Sequence, residues 1–202
     1  MTTGTAYPWE QPIPGPAADF AATLRDRLPV LTTARLTLRP LALEDFDDYA
    51  RILTTERARY MDGPDTRVEA WADFTGAVAN WLLRGHGPFA VTLSATGETL
   101  GYVTVQMEAG DQEPELGFFF HAEAEGNGYA FEAAEAARDY ALDVAGLTRL
   151  VSYTDPDNAR AARLAERLGA FRDDLAEARF DDPVAVYRHA PTGGDGGMEA
   201  YA

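Results

Sequence analysis

The 202-residue chain contains neither cysteine nor lysine. Without cysteine, disulfides, thiolate metal ligands and cysteine nucleophiles are excluded. With 33 acidic residues against 17 basic ones, a long basic surface for nucleic acid is not expected, so we predict no nucleic-acid partner. The formal charge of −16 would attract cationic ligands, and it is equally compatible with a general role in solubility.

Long hydrophobic runs are also lacking. No apolar segment approaches the roughly 18 residues needed to cross a membrane, and the N-terminus has no basic stretch followed by an apolar one, as a secretory signal would. We therefore expect a cytoplasmic protein with no membrane partner. A hydrophobic content of 46% with 25% charged residues is typical of a folded protein, and the length suits one domain with short extensions.

Proline and glycine mark the two ends of the chain. Residues 1–30 begin with a proline-rich arm and continue into an amphipathic segment at 18–28, so we predict an N-terminal extension with a short helix. Residues 191–202 combine glycine with small side chains and predict a flexible C-terminal tail. The single domain is therefore expected over residues 31–190.

Hydrophobic periodicity within that domain predicts a mixed α/β fold. Strands are expected at 35–40, 89–93, 100–105, 115–120, 149–153 and 184–187. Helices are expected at 43–53, 68–83, 129–145 and 159–168. The predicted order is one strand, two helices, three strands, then helix, strand, helix and strand.

A short glycine turn separates the apolar strand from the helix that begins at Tyr129. Its sequence is Gly126-Asn127-Gly128. Glycine lets the main chain approach a ligand closely, and the start of a helix offers unpaired N–H groups and a positive dipole end. This junction therefore predicts an anion-binding cradle, although a turn that binds nothing has the same pattern. A dinucleotide fingerprint is disfavoured because its third glycine position is Phe131.

Four segments together resemble a known family. They are RLTLRPL, ELGFFF, EGNGYA and TDPDNARAARLAERLGA. They are similar to the GNAT superfamily of acyl-CoA-dependent N-acyltransferases, specifically to ribosomal-protein N-terminal acetyltransferases of the RimJ and RimL type, over residues 31–187. The resemblance implies one GNAT-like domain with a central mixed, mostly antiparallel sheet. That sheet would splay between its fourth and fifth strands, with helices on both faces, and would hold acetyl-CoA as co-substrate without a metal.

The resemblance also implies the residues that bind CoA. Backbone N–H groups of the loop would hold the pyrophosphate. The main chain of the preceding strand would pair with pantetheine, and the N–H of Phe119 or Phe120 would polarise the thioester carbonyl. The implied residues are Phe118, Phe119, Phe120, Gly126, Asn127, Gly128, Tyr129, Ala130 and Asn158. The family usually has a cationic or amide side chain where this chain has Glu125, and we expect that carboxylate to point away from the phosphates.

Attack on a thioester requires a neutral amine, so a proton acceptor is needed for an amine whose pKa lies near 10.4. The resemblance implies Glu115 as that base, with Glu113 or His121 as substitutes and Asn158 as a further catalytic contact. The tyrosine with which many family members protonate the leaving thiolate is replaced by Ala165. Ser152 and Tyr153 are less favoured donors.

The sequence therefore predicts an N-acetyltransferase that moves an acetyl group from acetyl-CoA to a primary amine, either a protein N-terminus or a small amine, by direct attack in a ternary complex. The alternative is a non-catalytic CoA-binding module with the same fold. A cationic acceptor is favoured by acids and aromatics in the expected acceptor groove, namely Asp62, Asp65, Glu69, Asp181, Asp182, Tyr60 and Trp71. A monomer and a homodimer are both compatible with the sequence.

Overall fold

The computed structural model describes residues 7–61, 63–64 and 66–191. Its α-helices are α1 (Pro16–Arg25), α2 (Phe46–Leu53), α3 (Arg67–Arg84), α4 (Tyr129–Asp139), α5 (Ala159–Arg167) and α6 (Asp174–Glu177). Its strands are β1 (Leu31–Thr32), β2 (Leu36–Pro40), β3 (Pro88–Leu93), β4 (Thr99–Gln106), β5 (Glu115–Phe120), β6 (Val151–Thr154), β7 (Phe171–Arg172) and β8 (Ala185–Arg188). A π-helical turn, Tyr140–Val144, extends α4.

The strands form one sheet in the order β1-β2-β3-β4-β5-β6-β8-β7. All neighbours are antiparallel except β5 and β6, which are parallel. These two strands share one paired position, Glu115 with Val151, and they separate beyond it. The strands β5 and β6 correspond to the fourth and fifth predicted strands, at 115–120 and 149–153. The prediction of a mixed, mostly antiparallel sheet that splays between them is therefore confirmed.

Helices cover both faces of the sheet, as predicted. Successive side chains of a strand point to opposite faces, so a central strand covered on both sides is apolar at nearly every position. On one face α4 packs against Phe89 and Leu116, and on the other α2 and α3 pack against Ala90 and Phe119. Because Glu115 alternates in step with Phe119, its side chain lies on the face covered by α2 and α3.

Most predicted elements lie where the periodicity placed them, and the differences are local. The helix expected at 43–53 begins with a 3₁₀ turn, Leu43–Asp45, and becomes α-helical only at Phe46. The N-terminal helix is Pro16–Arg25 and not 18–28; it begins at a proline, whose fixed φ suits the first helical turn. The two-residue strands β1 and β7 and the four-residue helix α6 were not predicted, because they are too short to show a period.

The segment before α1 is attached to the domain by packing and by charge. Trp9 contacts the rings of Phe46 and Trp71. Glu10 is buried and its carboxylate lies 2.6 Å from the guanidinium of Arg67. The predicted tail lies outside the described residues apart from Pro191. None of the helices in the described ranges is both long and apolar enough to cross a bilayer.

Candidate active site

A groove of about 840 Å³ is bounded by β5, the loop before α4, the start of α5 and the segment that follows α2. The structure brings all nine residues predicted to bind CoA together in the lining of this groove. They are Phe118, Phe119, Phe120, Gly126, Asn127, Gly128, Tyr129, Ala130 and Asn158. Residues predicted from two distant stretches of sequence therefore meet at one surface.

The loop before α4 has the backbone conformation that the glycine pattern predicts. Gly126 and Gly128 have φ values of +77° and +80°, which side chains with a Cβ rarely adopt. Gly128 is the N-cap of α4, and no side chain caps this helix start. The first N–H groups of a helix have no intrahelical partner, so those of α4 are available to an anion in the groove.

Arg35 and Glu132 fasten this loop to the start of β2. The Glu132 carboxylate accepts hydrogen bonds from the Arg35 backbone N–H at 3.0 Å and from its Nε at 2.7 Å. The Arg35 guanidinium also donates to the carbonyl of Asn127 at 3.0 Å and lies over the ring of Tyr129. These contacts hold the Asn127 carbonyl in place, so Arg35, to which the sequence patterns assigned no function, helps to fix the loop.

The side chain of Glu125 does not point away from the groove, and that expectation was wrong. Its carboxylate lies 2.5 Å from Arg57 Nη2 and 2.8 Å from Arg160 Nη2, and all three residues line the groove. Hydrogen bonds from Arg160 and Arg57 lower the pKa of Glu125 below its ordinary value. The groove is thus lined by cationic side chains in a chain whose formal charge is −16.

Alternation along β5 decides which main-chain groups face the gap. In an antiparallel pair, the N–H and C=O of one residue point toward the same neighbouring strand. The N–H of His121 donates to Leu100 of β4, whereas the carbonyl of Leu116 accepts from Ser152 of β6. By this alternation the N–H of Phe119 points toward β4 and that of Phe120 toward the gap, so only the second of the two predicted donors can face a ligand there.

Glu115 begins β5 at the point where this strand still pairs with β6. It is half-buried and does not line the groove, whose β5 portion begins three residues further on, about 10 Å along the strand. Burial, and then the negative charges of Asp111 and Glu108, raise the pKa of Glu115 to about 8. A carboxyl group with this pKa can exchange protons near neutral pH.

The two substitutes for this base are both engaged elsewhere. Glu113 accepts two hydrogen bonds of 2.8 Å from Arg188, and these bonds hold its pKa below the ordinary value. His121 Nε2 lies 2.6 Å from a carboxylate oxygen of Asp48, beyond the opposite end of β5. The structure therefore favours Glu115 over both alternatives.

The candidate proton donors on β6 are also occupied. The Ser152 hydroxyl donates to the carbonyl of Leu116 at 2.7 Å and contacts His189 Nε2 at 3.0 Å. The Tyr153 hydroxyl donates to the carbonyl of Glu113 at 3.4 Å and accepts the backbone N–H of Glu113 at 3.0 Å. Neither residue is among those that line the groove.

Asn158 is the N-cap residue of α5. Its side-chain oxygen caps the helix by accepting the N–H of Ala161 at 3.2 Å, while the residue also lines the groove. Ala165 is buried against Ala170 and Ala185, so no hydroxyl is present where many family members have the tyrosine.

Two further acids, Glu108 and Asp111, act electrostatically on Glu115, and a third, Asp73, acts on Glu108. No pattern in the sequence pointed to these three residues. Asp73 of α3 accepts a 2.6 Å hydrogen bond from the Tyr49 hydroxyl. The loop after β4 contributes Glu108, which accepts from the side-chain amide of Gln106, and Asp111, which accepts the N–H of Glu108 at 2.6 Å. Burial raises the pKa of each of the three carboxyl groups. We refer to Asp73, Glu108 and Asp111 as the acidic wall.

The residues predicted for the acceptor groove lie in several parts of the structure. Glu69 forms a capping box with Thr66 at the start of α3, and Trp71 packs against Phe46 and Phe74. Tyr60 lines the groove described above. Asp181 and Asp182 are exposed in the loop before β8, and Asp62 and Asp65 lie outside the described residues. The assignment of these residues to an acceptor groove stays a prediction.

Within the described ranges, no group of three or more histidine, aspartate or glutamate side chains is arranged to hold a metal ion. The arrangement provides instead a cationic groove with free helix N–H groups, a strand with main-chain groups facing a gap, and a carboxyl group with a pKa of about 8 at the closed end of that gap.

Comparison with known proteins agrees with this arrangement. A model of the acetyltransferase (GNAT) domain matches residues 35–170. The chain is 40% identical to an acetyltransferase from Agrobacterium tumefaciens strain C58, with a TM-score of 0.76 over 81% of this chain and 95% of that one. It is 31% identical to the uncharacterized protein YkkB of Bacillus subtilis strain 168, and the match spans 54% of this chain and 66% of YkkB.

The fold extends to the branch that the sequence resembles. RimJ of Mycobacterium smegmatis, whose structure contains CoA-disulfide, has a TM-score of 0.60 and 20% identity over 76% of this chain and 81% of RimJ. The family match, which covers more than half of the chain, together with these structural likenesses, establishes that the chain belongs to the GNAT acetyltransferase family.

Proposed function

We propose that this protein is an N-acetyltransferase that transfers an acetyl group from acetyl-CoA to a primary amine by direct attack within a ternary complex. The observation that carries the proposal is the position of Glu115. It is a carboxyl group with a pKa of about 8, placed where β5 and β6 part, on the strand that also lines the cationic groove. A protein that only bound CoA would have no need for such a base at this point.

Binding of acetyl-CoA is supported by the groove. The helix N–H groups after Gly128 and the arginines that line the groove suit a diphosphate. The main-chain N–H and C=O of Phe118, which face the gap, suit the amides of pantetheine, in the manner of an added strand. RimJ, which shares the fold, was crystallised with CoA-disulfide, and this supports the same use of the fold here.

In the proposed reaction the acceptor nitrogen attacks the thioester carbonyl, a C–N bond forms and the C–S bond breaks. Glu115 accepts the proton that the amine loses through intervening water, because Phe120 lies five residues, about 16 Å, further along β5. The N–H of Phe120 stabilises the negative charge that develops on the carbonyl oxygen. The leaving group is the CoA thiolate; with a thiol pKa near 8.5, it needs no dedicated acid to leave. This agrees with the occupied hydroxyls of Ser152 and Tyr153.

The acidic wall supports a cationic acceptor. Glu108 and Asp111 place negative charge near Glu115, Asp73 adds negative charge near Glu108, and a cation is attracted to such a site. An acceptor with a second ammonium group, a small polyamine or a basic N-terminal peptide, would pair that group with the wall while its neutral amine reacts. Asn158 is proposed to contact CoA from the start of α5.

The proposal is tested in two steps with purified protein. Isothermal titration calorimetry with CoA measures binding, and thiol release from acetyl-CoA in the presence of a panel of amines measures transfer. We expect binding together with amine-dependent release. Binding without release for any amine would establish the alternative, a non-catalytic CoA-binding module, and no binding at all would refute both.

A further inference from the structure

Three charged side chains from three separate elements meet at the groove. Arg57 belongs to the 3₁₀ turn Glu56–Ala58 after α2, and Arg160 lies in the first turn of α5. Glu125 directly precedes the glycine loop before α4. The Glu125 carboxylate bridges the two guanidiniums at 2.5 and 2.8 Å. Arg57 is further anchored because its Nε donates to the carbonyl of Phe120 at 2.9 Å.

We propose that Arg57 and Arg160 are ligands for a phosphate group of CoA, and that Glu125 is an internal anion that holds this arginine pair in the free protein and is displaced from it when CoA binds. The proposal rests on the proposed binding of CoA. The family usually has a cationic or amide side chain at the position of Glu125. In this chain Arg57 and Arg160, which are distant in sequence, would supply the positive charge.

Position and charge both favour an exchange of anions. Glu125 is bonded directly to Gly126, the first residue of the loop, so the arginine pair lies beside the helix N–H groups of α4. A guanidinium binds phosphate and carboxylate with the same geometry, and a phosphate group carries more negative charge and more acceptor oxygens than a carboxylate does. A phosphate entering the loop therefore competes for the donors that Glu125 occupies.

The carboxylate also has a function before the ligand arrives. Two guanidiniums facing one groove would repel each other, and Glu125 keeps them close together. Its pKa is lowered by these same hydrogen bonds, so the group stays charged and remains a competitor at neutral pH. The side chain of Arg160 is 69% exposed and can change rotamer without disturbing the core.

The test is calorimetric titration of CoA into the wild-type protein and three variants. Arg160→Gln and Arg57→Gln should each raise the dissociation constant about tenfold, the loss expected for one charged hydrogen bond. Glu125→Gln should lower it at least threefold, because the competing charge is gone while the side-chain shape is kept. Arg163→Gln, exposed on the same helix, and Glu123→Gln, exposed two residues before Glu125, are matched controls that should leave binding unchanged.

Two shortened ligands identify the group. If the arginine variants weaken binding of 3′-dephospho-CoA as strongly as binding of CoA, the pair binds the pyrophosphate; if dephospho-CoA binding is unaffected, the pair binds the 3′-phosphate. Either result supports the proposal. Equal losses for pantetheine, which has no phosphate, would overturn it.

Two further results would also overturn it, and they are distinguishable. Wild-type protein that does not bind CoA would refute the proposed function as well. Wild-type protein that binds CoA, with unchanged affinity in Arg160→Gln or with weaker binding in Glu125→Gln, would overturn this inference alone. Because Arg57 also bonds the main chain of β5, the exposed Arg160 decides the case if Arg57→Gln does not fold.

Discussion

The hydroxyl of Ser152 donates a 2.7 Å hydrogen bond to the carbonyl of Leu116 across the line where β6 and β5 begin to separate. The same hydroxyl contacts the ring of His189, which is fully buried directly after β8. One side chain thus replaces a ladder hydrogen bond at the place where the parallel ladder ends. It satisfies a buried carbonyl that would otherwise have no donor because the strands diverge.

Replacing Ser152 with alanine should therefore destabilise the protein. The carbonyl of Leu116 and the ring of His189 would each lose a buried partner, and such losses cost about 1–3 kcal/mol. Urea unfolding monitored by circular dichroism measures the change. Ser94→Ala, which removes an exposed hydroxyl bonded to Thr37, is the matched control and should change stability by less than about 0.5 kcal/mol. Equal stability of the two variants would show that the strands part without help from Ser152.

Substituting Glu115 with glutamine should lower turnover and leave CoA affinity nearly unchanged. Glutamine keeps the shape and the hydrogen-bonding capacity of the side chain but cannot accept the proton, so we expect kcat to fall by about 10² or more. In the wild type, kcat should rise with pH through an ionisation near 8, the pKa to which burial raises Glu115. Steady-state rates of thiol release between pH 6 and 10 measure both effects.

The exposed Glu98, in the turn between β3 and β4, provides the control for this substitution. Glu98→Gln makes the same charge change far from the groove and should retain both the rate and the pH profile of the wild type. A Glu115→Gln variant that kept the ionisation near pH 8 and the wild-type rate would assign proton acceptance to water or to another group.

The same pKa predicts a pH-dependent effect on stability. Below its ordinary pKa near 4.5, Glu115 is protonated in the folded and unfolded states alike. Between about 4.5 and 8 the unfolded chain releases this proton while the folded chain retains it, so the folded state loses stability as pH rises. Glu115→Gln should therefore gain more than about 1 kcal/mol over the wild type at pH 9, but little at pH 4. A difference in unfolding free energy that does not change with pH would contradict this.

Much of the fold could be predicted from the sequence because its central elements are long and strongly periodic. The strand at 115–120 is a nearly continuous apolar run, and the helix that begins at Tyr129 has apolar residues at helical spacing. Both elements can therefore be recognised from their own residues. The strands β1 and β7 have two residues each and exist only because neighbouring strands offer unpaired edges. Such elements have no signal of their own, so only the assembled sheet reveals them.

The candidate site divides in the same way. The glycine loop and Asn158 can be recognised from local sequence. Glycines suit the positive φ values that the loop adopts, and an asparagine before a helix suits the cap that Asn158 forms. The partners of Glu125 lie 68 residues before it and 35 residues after it in the chain, so no local pattern joins them. The sequence shows a carboxylate at position 125 but not the direction in which this side chain points. That direction depends on arginines that are distant in the chain.

The tie between Arg35 and Glu132 should contribute to CoA binding without touching CoA. Arg35→Gln removes the donor that holds the carbonyl of Asn127 and half of the ion pair with Glu132. The loop would then sample other conformations, and we expect CoA binding to weaken about threefold to tenfold by calorimetry. Arg51→Gln, which breaks an exposed ion pair with Asp48, should leave CoA binding unchanged. Unchanged affinity in Arg35→Gln would mean that the glycines alone fix the loop.

The acidic wall leads to a prediction about the acceptor. If Glu108 and its neighbours attract a second ammonium group, polycationic amines such as spermidine should be acetylated faster than neutral amines of similar size. Glu108→Gln, at the exposed rim of the wall, should raise the Michaelis constant for spermidine about threefold or more while leaving that for acetyl-CoA unchanged. The exposed Glu98→Gln again serves as the control, because it lowers the same overall charge at a distant site.

Salt separates recognition by the wall from the acidity of the whole chain. Raising the ionic strength from about 0.05 to 0.5 M shortens the screening length from roughly 14 to 4 Å, so an attraction acting at the rim should weaken. The apparent Michaelis constant for spermidine should then rise several-fold, whereas that for a neutral amine should not. Because Glu108→Gln removes one of the interacting charges, its Michaelis constant should also rise less steeply with salt than that of the wild type. A Michaelis constant insensitive to salt, or equal rates for neutral and polycationic amines, would mean that the negative charges serve solubility and not recognition of the acceptor.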